Sequence, residues 1–193
     1  MSINLYDDAF FKKRSSYSKR APVMMRGIIE IYHPTSYVDC GAALGDLVNE
    51  ALTQQIDAYG IEGSEACFPY LQCPREHMLI LDLSVPIIIP RKYDVLTCFE
   101  VAEHIEEQSV DIFIANICQM SNNLVISICD YGPTTKIHPT VKPHSWWLKK
   151  FNVYQFVRCV DKESILKQYW EPIKQRPAVK EEYRNLVILE KCE

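Results

Sequence analysis

The chain has no basic excess. Its formal charge is −4, which argues against a nucleic-acid partner, because phosphate binding draws on a surplus of Lys and Arg. The one basic cluster, Lys12-Lys13-Arg14 with Lys19, Arg20 and Arg26, reads as a solvated helix face. No apolar run approaches the roughly 20 residues that a membrane span requires; the longest, Val85 to Pro90, is interrupted by prolines. The N-terminus is polar and charged, so no signal peptide is expected. There is no C-x-x-C pair: Cys67 and Cys73 are six apart, and Cys40, Cys98, Cys118, Cys129 and Cys159 sit inside apolar runs. Reduced thiols in a cytoplasmic protein are the expectation. Internal repeats and low-complexity tracts are missing too. What is present is ordinary for a soluble globular domain: 193 residues, 48% apolar and 24% charged, enough to bury a full core as one domain.

Strand and helix patterns alternate along the chain. Residues 4–32 read as two helical stretches separated by a polar turn at 15–18, a cap that closes near residue 35. Tyr37 to Cys40 reads as a buried strand and Leu44 to Gln55 as a helix, with Leu44, Leu47, Val48, Ala51 and Leu52 at helical spacing. Further strands are expected at 57–62, 77–83, 93–99 and 122–129. A helix is expected at 106–120, a second at 145–151 after a loop over 130–143, and Ser64 is a candidate N-cap for a short helix over 65–72. Two last strands, 154–160 and 185–191, flank a largely polar link. This order predicts an α/β fold with a mostly parallel sheet, helices on both faces and an antiparallel edge, arranged as one domain with a cap (1–35) and a core (36–193).

In such a sheet, ligands bind beyond the C-terminal ends of the strands. Asp39, Glu62 and Asp82 fall there, after the first three strands. A carboxylate after the second strand, about 20 residues beyond a glycine turn, suits a ribose diol. That spacing alone would permit NAD. The turn itself, Asp39-Cys40-Gly41-Ala42-Ala43-Leu44-Gly45, lacks the Gly-x-Gly-x-x-Gly spacing that cradles a pyrophosphate. Together with Gly60-Ile61-Glu62, Leu81-Asp82-Leu83 and Tyr93-Asp94-Val95-Leu96-Thr97-Cys98-Phe99-Glu100-Val101, it resembles the class I S-adenosylmethionine-dependent methyltransferases over about residues 37–191. The resemblance implies a Rossmann-like fold of seven strands. It also implies a loop from Gly41 through Ala42 to Gly45 facing the methionine part of the cofactor, Glu62 on the ribose, and Asp82 with Leu83 on the adenine. Gly63, Phe99 and Glu100 complete the expected cofactor shell. Ala43 stands where the family has a middle glycine, a change that costs little if its dihedrals are negative.

A second block, Glu100-x-x-Glu103-His104, puts two carboxylates and an imidazole within five residues. Read as the opening of a helix, it projects all three from one face, where they can hold a hard cation such as Mg²⁺ or Mn²⁺. His138, in the loop after the fifth strand, is the candidate fourth ligand. The competing reading is that Glu and His merely shape the cofactor pocket or favour a helix start. The pattern resembles metal-dependent 2′-O-methyltransferases of small-RNA 3′ ends and, in its first half, ubiquinone-biosynthesis O-methyltransferases. The loop His138-x-x-x-x-Pro143-x-x-Trp146-Trp147 instead resembles methyltransferases encoded with surface-glycan and capsule genes, with Thr140 and Lys142 replacing their Asn and Gln.

These resemblances imply metal-assisted methylation of a sugar or glycan hydroxyl, with Glu103, His104 and His138 at the chemistry. Trp146, Trp147, Lys142 and Tyr17 are candidate acceptor contacts, though core packing of both tryptophans is an open alternative. A small or terminal acceptor suits a chain without a separate substrate domain. The alternatives are RNA 2′-O-methylation, a phenol or quinone acceptor, and a non-catalytic cofactor-binding module. His33, His77 and His144 read as surface, strand-edge and helix-start residues.

Overall fold

Fully apolar strand runs flanked by amphipathic helices call for a sheet covered on both faces, and that is what forms. The computed structural model describes residues 6–14, 18–177 and 179–192. In chain order the elements are α1 (Asp8–Arg14), α2 (Ala21–Tyr32), β1 (Ser36–Cys40), α3 (Asp46–Thr53), β2 (Asp57–Glu62), β3 (Met78–Ile80) and β4 (Val95–Cys98). Then follow α4 (Val110–Met120), β5 (Asn123–Ser127), α5 (His144–Asn152), β6 (Phe156–Arg158), α6 (Val160–Trp170), α7 (Lys180–Arg184) and β7 (Leu186–Lys191). The sheet order is β3-β2-β1-β4-β5-β7-β6. Neighbours from β3 to β5 are parallel, and β7 runs antiparallel between β5 and β6.

Alternation along each strand divides the core in two. Tyr37, Val95 and Val125 pack with Met24 and Met25 of α2, Leu47 of α3, and Leu166 and Trp170 of α6. Val38, Leu96 and Ile126, one residue later, pack with Phe113 and Ile117 of α4 and Trp147 and Phe151 of α5. Each fully buried side chain of this size contributes roughly 1.5–3 kcal/mol before entropy is counted. Where α2 meets α6 only a glycine fits: a Cβ on Gly27 would lie 2.6 Å from Leu166 Cδ1.

Several boundaries move. α3 begins at Asp46 because Gly45 before it is left-handed, with φ +72°. α4 begins at Val110 after a single 3₁₀ turn at Glu107–Ser109. The stretch 161–183, which reads as a polar link, holds most of α6 and most of α7. Its apolar content is low because only Leu166 and Trp170 of α6 face the core as hydrophobes; buried Glu163 is held by the Arg158 guanidinium at 2.8 Å. A buried ion-pair cluster joins distant segments. Arg20 lies 2.9 Å from Asp46 at the start of α3 and also pairs with Glu182 of α7, all three side chains being buried. No helix among the described residues is long and apolar enough to cross a membrane.

Candidate active site

The order of the sheet reverses between β1, which pairs with β2, and β4 on its other side, so a crevice opens beyond the C-terminal ends of these strands. A pocket occupies it. Gly41 and Ala43 after β1, Ile61, Glu62 and Gly63 at β2, Leu81 and Leu83 after β3, and Phe99, Glu100, Val101 and His104 after β4 form its floor and walls. Tyr6, Phe10 and Arg14 close it from the N-terminal side. Tyr6 and Phe10 escaped the sequence reading, which favoured a solvated face for the basic cluster that includes Arg14 over a lid on the cofactor. The available signal was Phe10-Phe11 within a basic helix: Phe11 is fully buried with Leu44 and Cys67, which turns Phe10 and Arg14 toward the pocket.

Glu62 is the best supported of the acidic candidates. It is buried, and its Oε2 accepts from the Ala43 amide at 2.9 Å. Its Oε1 accepts from the amides of Gly63 (2.8 Å) and Ser64 (3.2 Å). Burial pushes its pKa up against these three donors, which pull it down. A carboxylate has about four lone-pair sites, so roughly one is left for a ribose hydroxyl rather than the two a diol would use.

Of the three expected carboxylates, Glu62 lines the pocket, whereas Asp39 and Asp82 are not among its lining residues. Asp39 is 4% exposed and accepts from the Thr97 hydroxyl at 2.7 Å. Burial raises its pKa to about 7. Asp82 turns back on its own loop, where Oδ1 accepts from the Ser84 amide (2.8 Å) and hydroxyl (2.6 Å); Leu83 alone of that pair reaches the pocket. Ala42 and Gly45 are also behind the lining: Ala42 is packed in the core, and a Cβ on Gly45 would meet Cys73 Sγ at 2.4 Å. Gly41 has φ +78° and faces Val101. Ala43 has φ +49°, so the condition under which alanine is cheap there is not met.

The carboxylate–histidine block departs from the helical reading. Glu100 has φ +55°, a left-handed conformation that costs a non-glycine residue of order 1–3 kcal/mol. Ala102–His104 is a single 3₁₀ turn. The three side chains therefore do not share one helix face, although Glu100 stays beside Glu103. Glu100 Oε1 takes the Ser127 hydroxyl at 2.8 Å and, at 3.5 Å, the Asn185 amide. Glu103, His104 and His138 instead converge, one ligand atom from each lying within 4.8 Å of the others. Glu100 is not part of that group. His104 and His138 are in edge-to-face contact, ring centroids 4.7 Å apart, and Tyr6 covers His104 at 5.8 Å. The loop carrying His138 is tied down by its amide bond to Thr135 Oγ1 (3.0 Å) and by the Thr140 amide on the Glu103 carbonyl (3.3 Å).

Glu103 is 1% exposed, and among the described residues neither carboxylate oxygen meets a donor in hydrogen-bond geometry, with Glu100 beside it. Burial and the neighbouring Glu100 push its pKa well up. A buried carboxyl without donors is costly, and a cation is one way to offset that cost. His104 Nδ1 lies 2.8 Å from the Ile137 carbonyl; a carbonyl only accepts, so Nδ1 carries the proton and Nε2 the lone pair. Burial lowers the His104 pKa to about 4.

The acceptor candidates fare unevenly. Trp147 is fully buried in the α4–α5 core and cannot stack on a ligand. Trp146 is partly exposed, but Lys142 (5.6 Å) and Lys150 (4.7 Å) lie over its ring. Lys142 pairs with Glu107 at 2.9 Å. Tyr17 lies outside the described residues.

The chain is similar to a magnesium protoporphyrin IX methyltransferase from Synechocystis PCC 6803 with bound SAH (16% identity, 78% of either chain, TM-score 0.57). It is similar also to the O-methyltransferase of a trans-AT PKS multienzyme from Brevibacillus brevis in complex with S-adenosyl-L-homocysteine (15% identity, 88% of this chain and 72% of that one, TM-score 0.58). The CcbJ methyltransferase from Streptomyces caelestis matches over 90% of both chains at 7% identity, with a TM-score of 0.62. The fold is the Rossmann-like methyltransferase fold. No protein-family model and no curated protein matches the sequence.

Proposed function

We propose that this protein is an S-adenosylmethionine-dependent O-methyltransferase that acts, with a divalent cation, on a hydroxyl of a sugar or glycan. The observation that carries the reading is the convergence of Glu103, His104 and His138 beside a switch-point pocket that includes Glu62, Leu83 and Glu100. The residues fit a cation: a buried carboxylate whose two oxygens meet no donor in hydrogen-bond geometry among the described residues, an imidazole whose Nδ1 is fixed and whose Nε2 is available, and a second imidazole in contact with the first. Bound there, a cation would acidify a sugar hydroxyl, a poor nucleophile at neutral pH. Glu62 holds the ribose, while Leu83 and Ile61 give an apolar wall for the adenine. Tyr6 and Phe10 cover the pocket and exclude water from the transfer path. The His104 Nε2 lone pair would either ligate the cation, which then acidifies the hydroxyl directly, or, with no cation bound, accept the hydroxyl proton itself, and it cannot do both. Donor chemistry resides in the sulfonium methyl, and the protein supplies orientation and electrostatics.

The sugar assignment rests on the resemblance of the His138–Trp147 loop, with stacking on Trp147 now removed from its support. The test is calorimetry with S-adenosylhomocysteine followed by methyl transfer from labelled donor to a panel of monosaccharides and nucleotide sugars, with and without EDTA. Donor-product binding and transfer lost in EDTA and restored by Mn²⁺ or Mg²⁺ are expected. No binding would end the methyltransferase reading, and transfer indifferent to chelator would end the metal.

A further inference from the structure

Solvent-facing apolar side chains are not spread evenly over the surface. Of the eight large hydrophobic side chains exposed among the described residues, five belong to one stretch: Val153, Tyr154, Val157, Val160 and Ile165. That stretch holds β6, the last strand of the sheet order, and β5 and β7 separate it from the strands that line the pocket. The Cys159 amide donates to the Ile188 carbonyl and the Cys192 amide to the Gln155 carbonyl, both at 2.8 Å. Main-chain groups alternate sides along an antiparallel ladder, so those of residues 155, 157 and 159 face β7. The N–H and C=O groups of Phe156 and Arg158 point the other way, where no strand of the described residues lies.

An open edge is a template for a further strand, and proteins usually blunt it with charge, proline or a bulge. β6 has only its shortness. It contains no proline, and the guanidinium of its one charged residue, Arg158, is held by Glu163 at 2.8 and 2.9 Å. We infer that β6 pairs with β6 of a second copy of this chain, antiparallel about a two-fold axis through Val157. In that register Phe156 lies opposite Arg158 of the second copy, and each such pair exchanges two main-chain hydrogen bonds. All four outward groups of the strand are then engaged. An axis through Phe156 or Arg158 would set the other of the two opposite a residue outside the strand. The apolar side chains match themselves under the same symmetry: Val157 meets its own copy, and Tyr154 and Val160, three residues to either side, fall opposite each other. Charge is complementary too. Exposed Lys149 precedes the strand and exposed Asp161 follows it, whereas Lys150 and Lys162 already hold Asp111 and Glu190. Antiparallel pairing turns the basic side of one copy toward the acidic side of the other.

The test is sedimentation velocity on the full chain, over a concentration series up to roughly 100 μM. A reversible dimer is expected. Val157→Lys sets two like charges opposite each other and should raise the dimer dissociation constant by about tenfold or more, with the thermal midpoint at low concentration unchanged. Val157→Cys in a Cys192→Ser background reads the register. A non-hydrogen-bonded antiparallel pair holds its Cα atoms about 4.5 Å apart, within disulfide range, so mild oxidation should yield a covalent dimer. Val160→Cys in the same background should yield little, because Tyr154 of the other copy lies opposite. A chain monomeric throughout the series, a dimer indifferent to Val157→Lys, or cross-linking no greater at position 157 than at 160 would each overturn the inference.

Discussion

Asp39→Asn is predicted to stabilise the protein, and more so as pH rises. Asp39 is fully enclosed beside β4, with the Thr97 hydroxyl as its hydrogen-bond donor. Burial outweighs that donor and lifts its pKa from 3.8 to about 7. Between these two values the folded state binds a proton that the unfolded state has released, so stability falls as pH increases through this window and levels off above about 7. Each unit corresponds to about 1.4 kcal/mol. From pH 5 to pH 7 the loss from this one group is therefore about 3 kcal/mol. Asparagine can accept the same Thr97 hydrogen bond and never ionises. The difference between variant and wild type, measured by urea denaturation at several pH values, should grow by about that amount between pH 5 and 7 and then stay flat. Taking the difference cancels other buried carboxyls with raised pKa, such as Glu182. A difference that does not vary with pH, or that shrinks as pH rises, would refute the assignment.

Two further substitutions probe the site. Glu103→Gln should reduce methyl transfer by about 10²-fold or more with S-adenosylhomocysteine affinity nearly unchanged, because Glu103 stands outside the pocket lining; turnover near wild type would dismiss its role. Gly41→Ala forces a left-handed alanine, about 1–2 kcal/mol, and sets a Cβ 2.2 Å from Val101 Cγ2, adding about 1–3 kcal/mol of overpacking. Thermal denaturation should show a clear drop, and an unchanged midpoint would mean the turn is not as tight as described.

The sheet was legible because its strands are buried on both faces and so announce themselves as apolar runs; 57–62 coincides with β2 to the residue. Helix α6 was not, since an Arg158–Glu163 ion pair stands where the pattern asks for a hydrophobe. The Glu100–His104 block misled for a different reason. Its spacing suits a helix face, yet a left-handed Glu100 is invisible to periodicity, and the group that converges is Glu103, His104 and His138. Asp39 and Asp82 stand at the expected ends of strands but hydrogen-bond within the protein, a distinction that rests on side-chain direction. Glu103, His104 and His138 were found together because their types, two imidazoles and a carboxylate on adjacent loops, carry chemistry wherever the backbone bends. For Arg14 a solvated face was the favoured reading, because a charge near a terminus looks solvent-facing until Phe11 fixes the rotation of its helix.

The Arg20 guanidinium holds Asp46 and Glu182, residues contributed by the start of the helix behind the β1 turn and by the last helix of the chain. Deleting one partner from so enclosed a trio leaves an uncompensated charge, at a cost of about 3–5 kcal/mol. The far end of the polypeptide thus takes part in shaping a turn encoded some 140 residues earlier. Damage near residue 182 should be felt first as a looser turn beside the proposed donor pocket, well before the sheet itself comes apart.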